Sequence, residues 1–342
     1  MSYCLNPRCI NPQNPDNSQF CLACGQKLRL KDRYCVIRPL GQGGFGRTFL
    51  AVDEDLPSQP PCVVKQFFPL TQNPQKQAKA AEMFQREAVQ LHELGQHPQI
   101  PVLLAYFTQN SQQYLVQEFI DGQDLGQELA TRGGFDEPGI RALLQDLLPV
   151  LEFVHDRGVI HRDIKPQNII RRRRDRVLFL VDFGAAKAIA STLPGATGTV
   201  IGSMGYTSPE QAYGKATYAS DIFSLGVTCV HLLTGIEPQN LFDPITGVWQ
   251  WQAHLRSPLS STLTHIIGKM LAFPVERRYN TAKAILEDLK RPTANLDDAI
   301  AQLKTQFTHD PDPAPPPANP LDAEIQRLRE ELKASQNSEE NS

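Results

Sequence analysis

No apolar run in this chain approaches the roughly 18 residues needed to span a bilayer, so no transmembrane helix is expected. The N-terminus lacks the basic-then-apolar order of a signal peptide. Together these set the expectation of a soluble, cytoplasmic protein. An excess of one charge sign is also missing. Lys and Arg number 34 against 37 Asp and Glu, a net charge of -3, so no broad field draws nucleic acid or an anionic membrane. Internal repeats are absent. Cysteine is scarce beyond the N-terminus, where Cys35, Cys62 and Cys229 sit in apolar strand or helix contexts and read as buried small hydrophobes.

What is present suffices for a large core. The chain has 342 residues, 41% of them hydrophobic, which fits two domains or one two-lobed one and excludes a wholly disordered chain. Residues 1–30 stand apart, rich in Asn, Pro and Gln and poor in apolar material. A segment so short cannot hold itself together by burial alone and needs a staple. Four cysteines, Cys4, Cys9, Cys21 and Cys24, crowd it in the spacing C-x4-C-x11-C-x2-C, with Gly25 directly after the last. Without an export signal, such a cluster reads as metal ligands rather than disulfides. Four thiolates close a tetrahedral zinc site that leaves no open position for catalysis. Redox-active thiols and unliganded cysteines are the other two readings.

From Tyr34 the pattern changes. Residues 34–40 read as a strand, a glycine turn follows, and 47–52 and 62–67 read as further strands. Over 76–94, Ala81, Phe84, Ala88, Leu91 and Leu94 recur at helical spacing. Residues 103–107 and 114–119 add two strands. Beyond Asp121-Gly122 the pattern is mainly helical, through 140–154, 220–233, 259–271 and 281–289, with short strands at 168–170 and 177–181.

Gly41-Gln-Gly43-Gly-Phe-Gly46 is a G-x-G-x-x-G run. A dinucleotide fingerprint would lead into a helix. Here a strand follows, so the glycines form a hairpin tip able to lie over phosphates and offer backbone N–H groups. Lys65 on the next strand is placed to meet phosphate oxygens, and Glu87 on the following helix to pair with it. His161-Arg-Asp163-Ile-Lys165-Pro-Gln-Asn168 precedes Asp182-Phe-Gly184, with Asp182 14 residues after Asn168. The strand–turn–strand between them puts Asn168 and Asp182 side by side. A carboxamide and a carboxylate so placed suit Mg²⁺, which shares oxygen ligands with phosphates. Asp163 can reach an incoming hydroxyl, and Lys165 can neutralise a transferring phosphoryl group.

With these motifs the chain, from Tyr34 to Leu289, resembles the eukaryotic-type (Hanks-type) protein kinases. Ser208-Pro209-Glu210, Ser220-Asp221-Ile-Phe-Ser-Leu-Gly226, His97-Pro-Gln-Ile100 and Leu115-Val-Gln117-Glu118-Phe119, with Gln117 as gatekeeper, agree with that family. Arg277 or Arg278 would pair with Glu210, and the spacing does not choose. The resemblance implies an α+β, bilobal protein kinase fold. Its β-rich N-lobe would cover about 34–119 and its α-rich C-lobe about 120–290, with residues 1–30 as a four-cysteine zinc-ribbon-like module. The head and kinase domain together resemble a group of cyanobacterial serine/threonine kinases.

The implied function is phosphoryl transfer from ATP, with Mg²⁺ or Mn²⁺, to Ser or Thr hydroxyls of protein substrates. ATP would be held by Leu40, Gly41, Gln42, Gly43, Gly44, Phe45, Gly46, Arg47 and Thr48, by Lys65 and Glu87, and by Glu118, Phe119 and Ile120. Asp163 and Lys165 would be catalytic, Asn168 and Asp182 would hold the metal, and His161 would be structural. Thr48 and Val63 stand where the family pattern has Val and Ala. Lys165 and Ser203 resemble the serine/threonine subgroup. The loop from Asp182 to Glu210 carries Ser191, Thr192, Thr197 and Thr199, with Thr197 or Thr199 as the expected autophosphorylation site and Arg162 as its receiver.

Arg171-Arg-Arg-Arg174 reads as a solvated hairpin turn or an anion-docking patch. Residues 291–320 comprise a helix and a proline-rich linker, and 321–342 a charged tail helix with Leu321, Ile325, Leu328 and Leu332 on one face. Docking or dimerisation through the head or tail, a pseudokinase scaffold, and a redox- or metal-sensing head are the rival or added readings.

Overall fold

The computed structural model describes residues 1–43, 46–69, 73–183, 205–243 and 246–291. In the cysteine head, β1 (Ser2–Tyr3) pairs with β2 (Gln13–Asn14). Then β3 (Arg29–Leu30), β4 (Tyr34–Gln42), β5 (Gly46–Asp53), β6 (Pro61–Phe67), β7 (Leu103–Gln109) and β8 (Gln112–Glu118) form one antiparallel sheet in the order β3-β4-β5-β6-β8-β7. Side chains alternate across β5, as the two-residue period of a strand requires: Phe49 and Ala51 are buried beneath the head while Thr48 faces the other way.

Helix α1 (Pro74–Leu94) interrupts the sheet. It starts two residues ahead of the expected 76 because the Asn73 side chain accepts from the N–H groups of Gln75 and Lys76, with proline in the first turn. Its buried stripe is Ala80, Met83, Phe84, Glu87, Ala88, Leu91 and Leu94. Glu87 is the charged member of that stripe.

The second part is built on helices. In chain order it contains β9 (Gly122–Asp124), α2 (Leu125–Arg132), α3 (Glu137–Asp156), β10 (Ile169–Arg172), β11 (Leu178–Leu180), α4 (Pro209–Ala212) and α5 (Tyr218–Thr234). A short ladder of β12 (Phe242–Asp243) with β13 (Val248–Trp249) precedes α6 (Ser261–Met270) and α7 (Ala282–Lys290). Every residue of α5 from Ala219 to Thr234 is buried, so this helix forms the centre around which α3 and α6 pack. Asn168, expected to begin a strand, instead ends a single turn of tight helix that starts at Pro166, and β10 begins one residue later.

The head is continuous with the sheet. Strand β3 crosses from it into the β4 ladder. Leu5, passed over in the sequence, buries its side chain with Leu30, Tyr34, Val36 and Phe49. Arg29 grips Glu54 with two hydrogen bonds of 3.0 and 3.1 Å. Residues 1–291 form one compact unit. The expected linker and tail helix lie outside the described residues. Among the described residues, no helix is long and apolar enough to cross a membrane.

Candidate active site

A cleft of about 340 Å³ opens between the sheet and the helical part. The β4–β5 hairpin forms its roof, with Gly41 opposite Thr48 and the Gly43 N–H donating to Gly46 O at 2.9 Å. Leu40, Gly41, Thr48 and Lys65 are among the residues that line the cleft. Glu118, Phe119 and Ile120 line the edge where the chain passes to the second part. Both family departures, Thr48 and Val63, face this space. Gly44 and Phe45 lie outside the described residues.

Gly46 is required for a steric reason. A Cβ there would stand 2.6 Å from the Gln66 carbonyl oxygen, whereas one on Gly41 or Gly43 would meet nothing within 4 Å. Of the nine residues of the expected nucleotide stretch, Leu40, Gly41 and Thr48 line the cleft, and Gln42, Gly43, Gly46 and Arg47 are not among its lining residues. Arg47 is the one whose side chain is held elsewhere. It points to the opposite face of β5, where its Nη2 donates to Leu5 O at 2.6 Å, so its side chain does not line the cleft.

Lys65 stands at the back. Its Nζ lies 2.6 Å from Glu87 Oε1 and 2.5 Å from Asp182 Oδ1. Burial alone would lower the lysine's pKa, but the two carboxylates outweigh it and hold it above the ordinary value, so the ammonium stays charged. Asp182 holds a left-handed backbone, φ 60°, at a cost of about 1 kcal/mol for a residue with a Cβ.

Below the cleft, Asn168 Nδ2 donates to Asp163 Oδ2 at 2.6 Å and to Asp163 O at 2.8 Å. Lys165 Nζ is 3.2 Å from the same Oδ2. The Val181 N–H donates to Asn168 O at 3.0 Å, which sets Asn168 beside Asp182 as the spacing suggested.

Asp221 of α5 fastens this loop from beneath. Its carboxylate accepts from the N–H groups of His161 and Arg162, both at 2.8 Å, and lies 2.9 Å from His155 Nε2. Burial holds the His161 ring below the ordinary pKa, with Asp221 and Asp163 pulling the other way. In the neutral ring Nε2–H donates to Val181 O at 3.0 Å, and Nδ1 accepts from the Asp163 N–H at 3.3 Å. Both nitrogens are occupied, which suits a structural role.

Several residues that shape the site were not singled out from the sequence. Ile170 and Val181 line the floor, and Gln127 and Gln167 line the rim. Gln99 ties the turn after α1 to Asp146 Oδ1 at 2.9 Å and to Leu178 O at 3.0 Å. The strand and loop-motif positions of Ile170, Val181 and Gln167 offered a signal. The contacts of Gln99 offered none. Arg171 lies in β10 against Glu128, 2.8 Å away, and Arg172 pairs with Asp175 at 2.6 Å. All four arginines have carboxylate partners: Arg171 reaches Glu128 of α2, Arg172 and Arg174 reach Asp175 in the turn between β10 and β11, and Arg173 lies 3.4 Å from Asp121. Gly184, Ser191, Thr192, Thr197, Thr199 and Ser203 lie outside the described residues.

In the head, the four cysteine Sγ atoms lie within 4.8 Å of one another. Cys4–Cys24 and Cys9–Cys21 are each 3.6 Å apart. That is too long for a disulfide and close to the edge of a ZnS₄ tetrahedron, about 3.8 Å for Zn–S bonds of about 2.3 Å. Gly25, at φ 71°, completes the second turn by donating to Cys21 O at 2.8 Å. Burial alone would raise the Cys21 thiol, but the N–H groups of Ala23 and Cys24 pull it down to about 6. The donor set and its spacing fit a zinc ion.

Comparison with known proteins agrees with this geometry. The model of the protein kinase domain matches residues 34–289. Serine/threonine-protein kinase B of Synechocystis sp. is 44% identical over 319 residues, which cover 90% of this chain and 55% of that protein. Serine/threonine-protein kinase PknA of Nostoc sp. is 45% identical over 284 residues, 81% of this chain and 50% of that protein. The chain thus spans about half the length of these curated relatives. Among solved structures, the kinase domain of Mycobacterium tuberculosis PknI has a TM-score of 0.58 at 22% identity, covering 75% of this chain and 94% of its own. The structure described as PpkA-294 apo form reaches 0.61 at 23% identity, over 75% and 96%. At those identities the likeness is one of fold. With the Lys65–Glu87 pair, the Asp163–Asn168 loop and the matched domain in agreement, the chain belongs to the eukaryotic-type (Hanks-type) protein kinases.

Proposed function

We propose that this chain transfers the γ-phosphoryl group of ATP to Ser or Thr hydroxyls of proteins. The observation that carries the reading is the convergence on Asp163 Oδ2 of Asn168 at 2.6 Å and Lys165 at 3.2 Å, below a roof where Lys65 is held by Glu87. Lys65 would hold the α- and β-phosphates. Mg²⁺, or Mn²⁺ in its place, would be held by Asn168 and Asp182 and would supply charge neutralisation on the phosphates. Asp163 orients the substrate hydroxyl and accepts its proton as the oxygen bonds to the γ-phosphorus and the bond to ADP breaks. Lys165 balances charge on the transferring group. Catalysis on this reading is positioning and electrostatics.

The reading extends to the parts around this centre. Thr197 or Thr199 is an autophosphorylation site whose phosphate meets Arg162. Cys4, Cys9, Cys21 and Cys24 hold a structural zinc ion, which fits reduced thiols in a cytoplasmic setting. The names of the relatives support Ser/Thr acceptors.

The test is Mg²⁺-dependent transfer of labelled γ-phosphate by the wild type and by Asp163→Asn, with and without a generic basic protein acceptor. Label on Ser or Thr that disappears in the variant supports the reading. Absence of label in a preparation that still binds ATP overturns it in favour of a scaffold.

A further inference from the structure

The cysteine head and the nucleotide cleft meet on the two faces of one strand. On β5, Thr48 lines the cleft while Arg47 turns to the head. Arg47 Nη2 donates to Leu5 O at 2.6 Å and to Gln66 Oε1 at 2.6 Å, and Nε donates to the same Oε1 at 3.2 Å. Gln66, only 1% exposed, turns its Nε2 back onto Leu5 O at 3.3 Å and onto the Tyr114 hydroxyl at 3.2 Å. The guanidinium lies 5.3 Å from the Phe49 ring centre and 5.2 Å from that of Phe68. One carbonyl, directly after the first cysteine, therefore collects donors from two adjacent strands of the roof.

This arrangement leaves little slack. Arg47 pairs with Gln66 across the β5–β6 ladder, and the next pair, Thr48 with Lys65, faces the cleft. Gly46 has no room for even a Cβ against the Gln66 carbonyl. If the Leu5 carbonyl moves away, a part-buried guanidinium keeps only Gln66 Oε1 and a buried amide only the Tyr114 hydroxyl, so each loses one of its two acceptors at once. Leaving such donors unsatisfied costs more than the net gain of making the bonds. The strand must then shift, and Gly46 and Thr48 shift with it.

We infer that Arg47 is a positioning residue for the nucleotide. It couples the folded state of the four-cysteine head to the glycine-rich roof, so that an ordered head is needed for tight nucleotide binding. The inference rests on the nucleotide-binding reading above. Asp163, Lys165 and Asn168 belong to the loop that Asp221 of α5 holds, not to β5 or β6, so the effect falls on nucleotide affinity and leaves turnover at saturating ATP nearly unchanged.

The test is a double-variant cycle on the full chain. A fluorescent ATP analogue with Mg²⁺ is titrated into the wild type, Arg47→Met, Cys24→Ser and the pair, and a thermal melt is recorded for each. Arg47→Met keeps the apolar stem and removes the donors. Each single change is expected to raise Kd about five-fold, and the pair by about the same factor, because both break one path. Turnover at saturating ATP stays within about two-fold.

A wild-type Kd retained by Arg47→Met, or losses that multiply in the pair, overturns the inference while the nucleotide reading stands. A wild type that binds no nucleotide overturns both. If Arg47→Met does not fold, Arg47→Lys is read in its place. Its ammonium cannot serve Leu5 and Gln66 with a fork, and an unchanged Kd there also overturns the inference.

Discussion

Arg278 grips Glu210 with both arms of its guanidinium, Nη1 to Oε1 at 2.7 Å and Nη2 to Oε2 at 3.0 Å. The arginine side chain is fully buried and also donates to Phe273 O at 2.9 Å, while Glu210 accepts from Ser220 Oγ at 2.6 Å. The sequence left Arg277 and Arg278 as equal candidates for this pair. Arg278→Met strands a half-buried carboxylate and is expected to cost about 3–5 kcal/mol in chemical denaturation. Arg277, which is exposed, should change stability by less than about 0.5 kcal/mol when replaced by Ala. Equal effects would contradict the pairing.

The same pair gives stability a pH dependence. Burial alone would raise the Glu210 carboxyl, but Arg278 and Ser220 hold it below the ordinary range. At Asp53, the hydrogen bonds from Arg33 are the leading cause of a shift in the same direction. Carboxyls depressed in the folded state contribute stability that is fully present above their unfolded pKa values, about 4, and is lost as pH falls through the folded values. Urea midpoints should fall on acidification from about pH 6 to about pH 3, and less steeply for the Glu210→Gln, Arg278→Met double variant. Parallel curves for the two proteins would remove Glu210 from this account.

Two glycines of the hairpin should respond differently to alanine. Gly46→Ala forces a Cβ against the Gln66 carbonyl and is expected to destabilise the fold by about 1–3 kcal/mol. Gly41→Ala meets no protein atom and should leave the melting temperature unchanged while weakening nucleotide binding. Thermal melts paired with nucleotide titrations check both halves. A Gly46→Ala melt equal to the wild type would refute the steric argument.

Lys65→Met should reduce phosphoryl transfer by about 10²-fold or more, because the phosphates lose a positioned cation. Glu87→Gln keeps one acceptor for the ammonium and should retain more activity than Lys65→Met. Single-turnover kinetics at saturating ATP separate the two. The reverse ranking would count against the role given to the Lys65–Glu87 pair at 2.6 Å.

Metal analysis of the purified chain should find one zinc per chain, absent from a Cys21→Ser, Cys24→Ser variant. Chelation should lower the melting temperature, since a ligand bound only by the folded state stabilises it. Leu5 buries its side chain in the sheet core beside the first cysteine, so the loss should reach the roof as well as the head. A purified chain without zinc and with an unchanged melt on chelation would leave the cysteines as unliganded thiols.

Much of the architecture was legible in order and type. The strands at 34–40, 47–52 and 62–67 and the helix at 76–94 all appear within two residues of their expected bounds at one end or the other. Each carries a local period that its own residues state. Asn168 shows the limit. Its neighbours read as a strand, yet Pro166 opens a helical turn and the Asp163 carboxylate draws the Asn168 side chain back. That bond joins residues on a loop whose path α5 decides through Asp221.

The sequence alone marked the candidate residues for the proposed chemistry. Short motifs bind neighbouring functional groups into fixed local geometry, and Gly41 to Gly46, Asp163 to Asn168 and Asp182 carry that geometry in their spacing. Tertiary structure decided everything that depends on which surfaces meet. It set Arg278 rather than Arg277 on Glu210, aimed Arg47 at Leu5 rather than into the cleft, and joined the cysteine head to the sheet through a two-residue strand. Neither partner in such contacts has a sequence neighbour that announces the other. They arise when burial forces each polar group to find an acceptor, and the acceptor within reach is set by the packing of the whole chain.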